Sequence, residues 1–108
     1  MMQSTKINVL GTEYAIIVEE FADNDMDGYC DSTCREIHLR SDNINKVGDF
    51  ERAQKKALRH EIIHAFLSES GLQSNFQHCE QYGHDETMVD WISIQWHKIA
   101  AVYKQLGI

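Results

Sequence analysis

The chain contains no proline, and only ten of its 108 residues are lysine or arginine against seventeen aspartates and glutamates. Without proline, nothing along residues 50–69 breaks a helix, and that stretch lacks glycine as well. The formal net charge of −7 argues against a general nucleic-acid-binding surface, because phosphate would be repelled. Long apolar runs are missing too. No segment approaches the length of a bilayer span, and the polar start Met1 to Lys6 lacks the basic-then-apolar layout of a signal peptide. Cysteine is scarce and odd in number: Cys30, Cys34 and Cys79 form no disulfide framework and suit a reducing compartment. The expectation is a cytoplasmic protein without a membrane or nucleic-acid partner. With 43% hydrophobic and 25% charged residues, the chain should form one globular domain over 1–108 with a single core.

What is present is concentrated in His60-Glu61-Ile62-Ile63-His64. In a helix, positions i and i+4 share a face, so both imidazoles can aim at one metal ion while Glu61 stands beside a metal-bound water. The surroundings predict such a helix: Asp49 as N-cap, Glu51 in the first turn and Gly71 at the C-terminal cap. Ala53, Ala57, Ile63, Phe66 and Leu67 supply an apolar face, and Arg52, Lys55, Lys56 and Arg59 a solvated, basic one.

A hydrolytic zinc site has three protein ligands and leaves a position for water. The extended signature HExxHxxGxxH would need glycine at Leu67 and histidine at Ser70, and fails at both. The better source of a third ligand is Asp85-Glu86-Thr87-Met88-Val89-Asp90, which opens the last helical pattern. Glu86 can complete the triad, and Asp90, one turn on, can accept the second ring hydrogen of a zinc-bound histidine. His84 competes with Glu86 in a preceding loop rich in potential ligands.

The combination of His60, Glu61 and His64 with a following acidic residue, Glu86 and Asp90 resembles the gluzincin pattern of thermolysin-like peptidases. More narrowly, Leu10-Gly11-Thr12-Glu13-Tyr14, His60 to Leu72 and Glu86 to Gln95 resemble very small phage and prophage proteins described as ImmA/IrrE-like or zincin-like metallopeptidases. Where that pattern often has asparagine before the glutamate ligand, this chain has Asp85. The resemblance implies an α+β fold, a minimal zincin-like domain with a small, mostly antiparallel N-terminal sheet packed on an active-site helix and a C-terminal helix. It implies a Zn2+ cofactor, peptide-bond hydrolysis in a protein substrate such as a repressor inside a host bacterial cell, and Glu36 to Arg40 as the sheet edge beside the active-site helix. The competing expectation is a zincin-shaped metal-binding protein that interacts but does not cut.

The remaining segments fit the same fold. Lys6 to Leu10 and Glu13 to Val18 read as a hairpin turning at Gly11-Thr12, and Tyr29 to Asp31 and Arg35 to Arg40 as a second strand pair. From Glu86 to Leu106, Met88, Val89, Ile92, Trp96, Ile99, Val102, Tyr103 and Leu106 recur at helical spacing as a core stripe. Tyr82, Tyr103 and His97 are unranked choices for a donor to the developing oxyanion. Two other constellations carry less. Cys30, Cys34 and His38 sit in a strand-like setting that scatters side chains. Asp23-Asn24-Asp25-Met26-Asp27-Gly28 opens like a calcium loop, but its twelfth position is Cys34, which favours an acidic turn.

Overall fold

A computed structural model describes residues 4–71 and 86–108, apart from the side chains of Ser4, Glu86, Thr87, Val89, Asp90 and Ser93. The architecture is a small α+β domain: four strands, β1 (Ser4–Val9), β2 (Thr12–Glu19), β3 (Gly28–Asp31) and β4 (Glu36–Arg40), then α1 (Phe50–Ser70) and α2 (Glu86–Leu106).

Strand order is β1-β2-β4-β3. The outer pairings are antiparallel, and the central one, β2 with β4, is parallel, so the sheet is mixed. This corrects the expected position of Glu36 to Arg40. β4 lies inside the sheet, hydrogen-bonded on both sides, and the edge beside α1 is β3. The β3–β4 hairpin folds back so that its second strand, with Ile37 and Leu39 both fully buried, meets β2. Apolar burial thus selects β4 for the interior.

The first hairpin turns at Leu10-Gly11 rather than Gly11-Thr12. Both residues have positive φ, 53° and 91°, as a primed hairpin turn demands, and the Asn8 side chain accepts the Gly11 N–H at 2.7 Å. In the second hairpin, Asp31 accepts the Thr33 and Cys34 N–H groups and the Thr33 hydroxyl. These bonds hold its carboxyl below the usual range.

Alternation puts Ile7, Val9, Tyr14, Ile16, Ile37 and Leu39 on one sheet face, where they meet Leu58, Ile62, Ala65 and Phe66 of α1 and Ile99 and Val102 of α2. At about 1.5–3 kcal/mol for each large side chain buried, this cluster dominates the stability of so small a domain. α1 begins and ends where its caps predict: Asp49 accepts the Arg52 N–H, and Gly71 adopts φ 81°. Its buried face differs from the expected one. Phe66 is buried, whereas Ala53, Ala57, Ile63 and Leu67 flank a face centred on Gln54, Leu58, Glu61, Ile62, Ala65 and Phe66.

α2 spans its predicted residues, but its stripe is buried only toward the C-terminal end. Ile99 and Val102 are in the core and Tyr103 and Leu106 pack against it, whereas Met88, Ile92 and Trp96 are 40%, 48% and 60% exposed; the Val89 side chain lies outside the described residues. The buried face of α2 runs through Trp91, Gln95, Ile99 and Val102, which turns Met88, Ile92 and Trp96 toward solvent. The Trp91 indole donates to the Ser70 hydroxyl and the Tyr103 hydroxyl to the Arg59 carbonyl. α2 is therefore antiparallel to α1, and its residues before Trp91 lie beyond the end of α1.

Candidate metal centre

Asp49, Gly71 and the unbroken run between them hold His60 and His64 in mid-helix. Both are exposed, with their Nε2 atoms 3.2 Å apart and rings at 68°. Two nitrogens bound tetrahedrally to one zinc at about 2.0–2.1 Å would be separated by about 3.3–3.4 Å, so the pair fits a shared ion. One ligand atom from each of His60, Glu61 and His64 falls within 4.8 Å of the others, and no second such group occurs among the described residues.

Glu61 faces differently from the histidines. It is buried, 8% exposed, on the side of α1 that meets β3. Burial raises its carboxyl above the usual range, against the opposing influence of His60 and His64. A basic carboxylate beside two metal-competent imidazoles is suited to taking a proton.

Gly28 sits where the β3–β4 pairing meets α1. A Cβ there would lie 2.8 Å from the His38 carbonyl oxygen, 3.2 Å from Leu39 Cδ2 and 3.5 Å from Glu61 Cγ. The tight approaches are to β4, so absence of a side chain lets β3 pair closely with β4, while the distance to Glu61 is ordinary packing. Cys30, the next inward residue of β3, has its thiol pushed up to about 11 by burial and by the negative charges of Glu61, Asp31 and Glu69. At the other end of α1, the buried Tyr14 donates to Glu69 Oε2 at 2.7 Å. Motif spacing carried no signal for Gly28, Cys30 or the Tyr14–Glu69 tie as parts of this site, because each depends on strand-to-helix packing.

The other expected residues are placed as follows. Glu86 and Asp90 lie in the first turns of α2, but their side chains are outside the described residues, as are His84, Asp85 and Tyr82. With Trp91 at Ser70 and Tyr103 at Arg59, the part of α2 level with His60 and His64 surrounds Ile99, and its Glu86 end lies beyond the end of α1. The Tyr103 hydroxyl is engaged with the Arg59 carbonyl, and His97 is exposed on α2.

Cys30, Cys34 and His38 do not converge. Cys30 faces α1, Cys34 lies exposed in a turn, and His38 occupies the opposite sheet face, with Nδ1 2.6 Å from Glu19 and Nε2 3.0 Å from Glu36. The calcium-like segment is organised by an internal cation instead. The Arg40 guanidinium donates to the Asp23 and Met26 carbonyls, and Arg40 is 3% exposed.

No protein-family model matches this chain, and no curated protein or solved structure is significantly similar to it.

Proposed function

We propose that the chain is a zinc-dependent metallopeptidase on a minimal zincin-like domain, acting on a protein in the bacterial cytoplasm, with a phage or mobile-element repressor as the implied target. The observation that carries this reading is the 3.2 Å spacing of the His60 and His64 Nε2 atoms beside the buried Glu61. His60 and His64 hold the metal, and Glu86 is the proposed third ligand with Asp90 orienting a histidine; His84 is the competing ligand. For Glu86 to reach the ion, the first turn of α2 must come round the end of α1, a demand set by the helix register.

Bound zinc would polarise the substrate carbonyl and acidify water. Glu61 takes the proton from the attacking water and returns it to the leaving amine. Its burial excludes bulk water that would otherwise lower its basicity. β3 supplies the sheet edge along which an extended substrate segment can add as a strand, and Gly28 of that strand packs against Glu61.

A specific observation favours a second reading, a metal-binding interaction protein: Met88, Ile92 and Trp96 form an exposed apolar row on α2. Glu61→Gln separates the two. It should keep zinc and fold but lose cleavage, measured by metal analysis, circular dichroism and mass spectrometry of a protein substrate. Full biological activity in that variant would replace the peptidase reading with the binder. His64→Ala should lose stoichiometric zinc, and comparing Glu86→Gln with His84→Ala for zinc content identifies the third ligand.

A further inference from the structure

We propose that the partner of the His60–His64 pair is a second copy of this chain: two copies lay α1 against α1, antiparallel, and share one zinc ion through four imidazoles. This goes beyond the peptidase reading and rests on it for the ion that the two histidines hold. The four-histidine dimer is then a resting form, with no position left for the attacking water.

Ligand count is the starting point. Tetrahedral zinc takes four ligands, and the two Nε2 atoms 3.2 Å apart supply two of them. Glu61 belongs to the same cluster but is 8% exposed against β3, whereas both imidazoles are exposed. The proposed third ligand begins far along the helix pair. Trp91 meets Ser70, which is six residues past His64, and Glu86 is five residues before Trp91. The backbone at Glu86 therefore stands about 16 Å along the helix axes from the pair. A second copy has no such distance to cover. A two-fold axis through the ion brings His60 of one copy beside His64 of the other, so one exposed motif supplies all four nitrogens.

The surface around the pair suits that contact. Ala53, Ala57, His60, His64 and Leu67 follow one another at steps of four, three, four and three residues, the spacing that keeps side chains in line toward a neighbouring helix. None of the three flanking residues is charged. Charge selects the direction. A parallel pairing would set Lys56 against Lys56 and Arg52 against Arg52, with the positive ends of both helices together. Antiparallel pairing about the midpoint of the histidines separates the two Lys56 levels by about 18 Å, beyond the screening length of about 8 Å at physiological ionic strength. A contact one helix wide is small beside the roughly 1,000 Å² that a lasting interface clears. The ion is therefore required to hold the copies together.

The test is a zinc titration of the metal-free full chain, followed by sedimentation equilibrium. The expected result is monomer in chelator, a doubling of mass that peaks at one zinc per two chains, and a return toward monomer as excess zinc loads each copy alone. X-ray absorption at the peak should show four nitrogen neighbours at about 2.0–2.1 Å. His60→Ala and His64→Ala should each abolish the doubling, with circular dichroism confirming that both variants are folded. Glu61→Gln, His84→Ala, Glu86→Gln and His97→Ala should leave it. A chain that stays monomeric at every ratio, a dimer that survives chelator, or a doubling indifferent to His60 and His64 overturns the inference. Cleavage of a protein substrate is read in the same titration. One zinc per monomer with cleavage and no doubling removes the dimer and keeps the peptidase, whereas a zinc-dependent dimer with no cleavage at any ratio removes the peptidase and keeps the dimer.

Discussion

Glu61 and Gly28 show how one residue's surroundings set its role. A buried carboxyl whose pKa is raised costs stability when ionised, so the penalty is absent below the unfolded-state pKa and present above the folded-state one. Glu61→Gln should therefore be more stable than the unaltered protein at pH 7–8 in chelator, with the advantage shrinking toward pH 4; thermal melts across that range provide the check. This is the trade expected where a residue serves chemistry at the expense of packing. Gly28→Ala tests the close approach of β3 to β4. Its Cβ would meet a backbone carbonyl at 2.8 Å, which cannot swing aside as a flexible side chain can. A loss of about 1–3 kcal/mol is expected, read from denaturant unfolding, with zinc still bound because His60 and His64 are exposed and neither is among the atoms the new Cβ would meet most closely.

Among the elements, α1 is tied to the sheet at both ends. Gln54 donates to the Arg40 carbonyl at 2.9 Å, and Tyr14 donates to Glu69 at 2.7 Å. The Tyr14 and Thr12 hydroxyls hold the Glu69 carboxyl below its usual range, while burial and Glu69 raise the Tyr14 phenol above its own. A depressed carboxyl contributes stability that is present above its unfolded-state pKa and lost as pH falls through the folded-state value. Tyr14→Phe should cost about 1–2 kcal/mol near neutrality and less once acid has protonated Glu69, so the two unfolding curves should approach each other below about pH 4. Parallel melts that keep their separation down to pH 3 would mean that this bond does not hold α1 to β2.

At the level of the whole molecule, the metal should link the site to the stability of the domain. An ion bound only by the folded state adds about 2.7 kcal/mol at a free concentration one hundred times its dissociation constant. Zinc should therefore raise the melting temperature of the unaltered protein, and chelator should reverse the rise. His60→Ala and His64→Ala should each remove the response. An equal rise in both variants would place the ion elsewhere. No helix among the described residues is long and apolar enough to cross a membrane.

Features that depend on neighbours along the chain were legible in the residues themselves. Asp49 and Gly71 marked α1 because caps satisfy groups within the same helix, and His60 and His64 paired because helical geometry places i above i+4. Alternation revealed the strands for the same reason. Their order was not legible, since Ile37 and Leu39 can be recognised as buried without showing whether β4 lies inside the sheet or at its edge. Nor did helical periodicity reveal which face of α2 is buried: Gln95 is inside, while its neighbours Ile94 and Trp96, and Ile92 of the expected stripe, are exposed. Local chemistry determined that two imidazoles and a carboxylate would share a turn. Only packing against β3 decided that the carboxylate would be buried while both imidazoles faced solvent, because desolvation depends on residues distant in sequence.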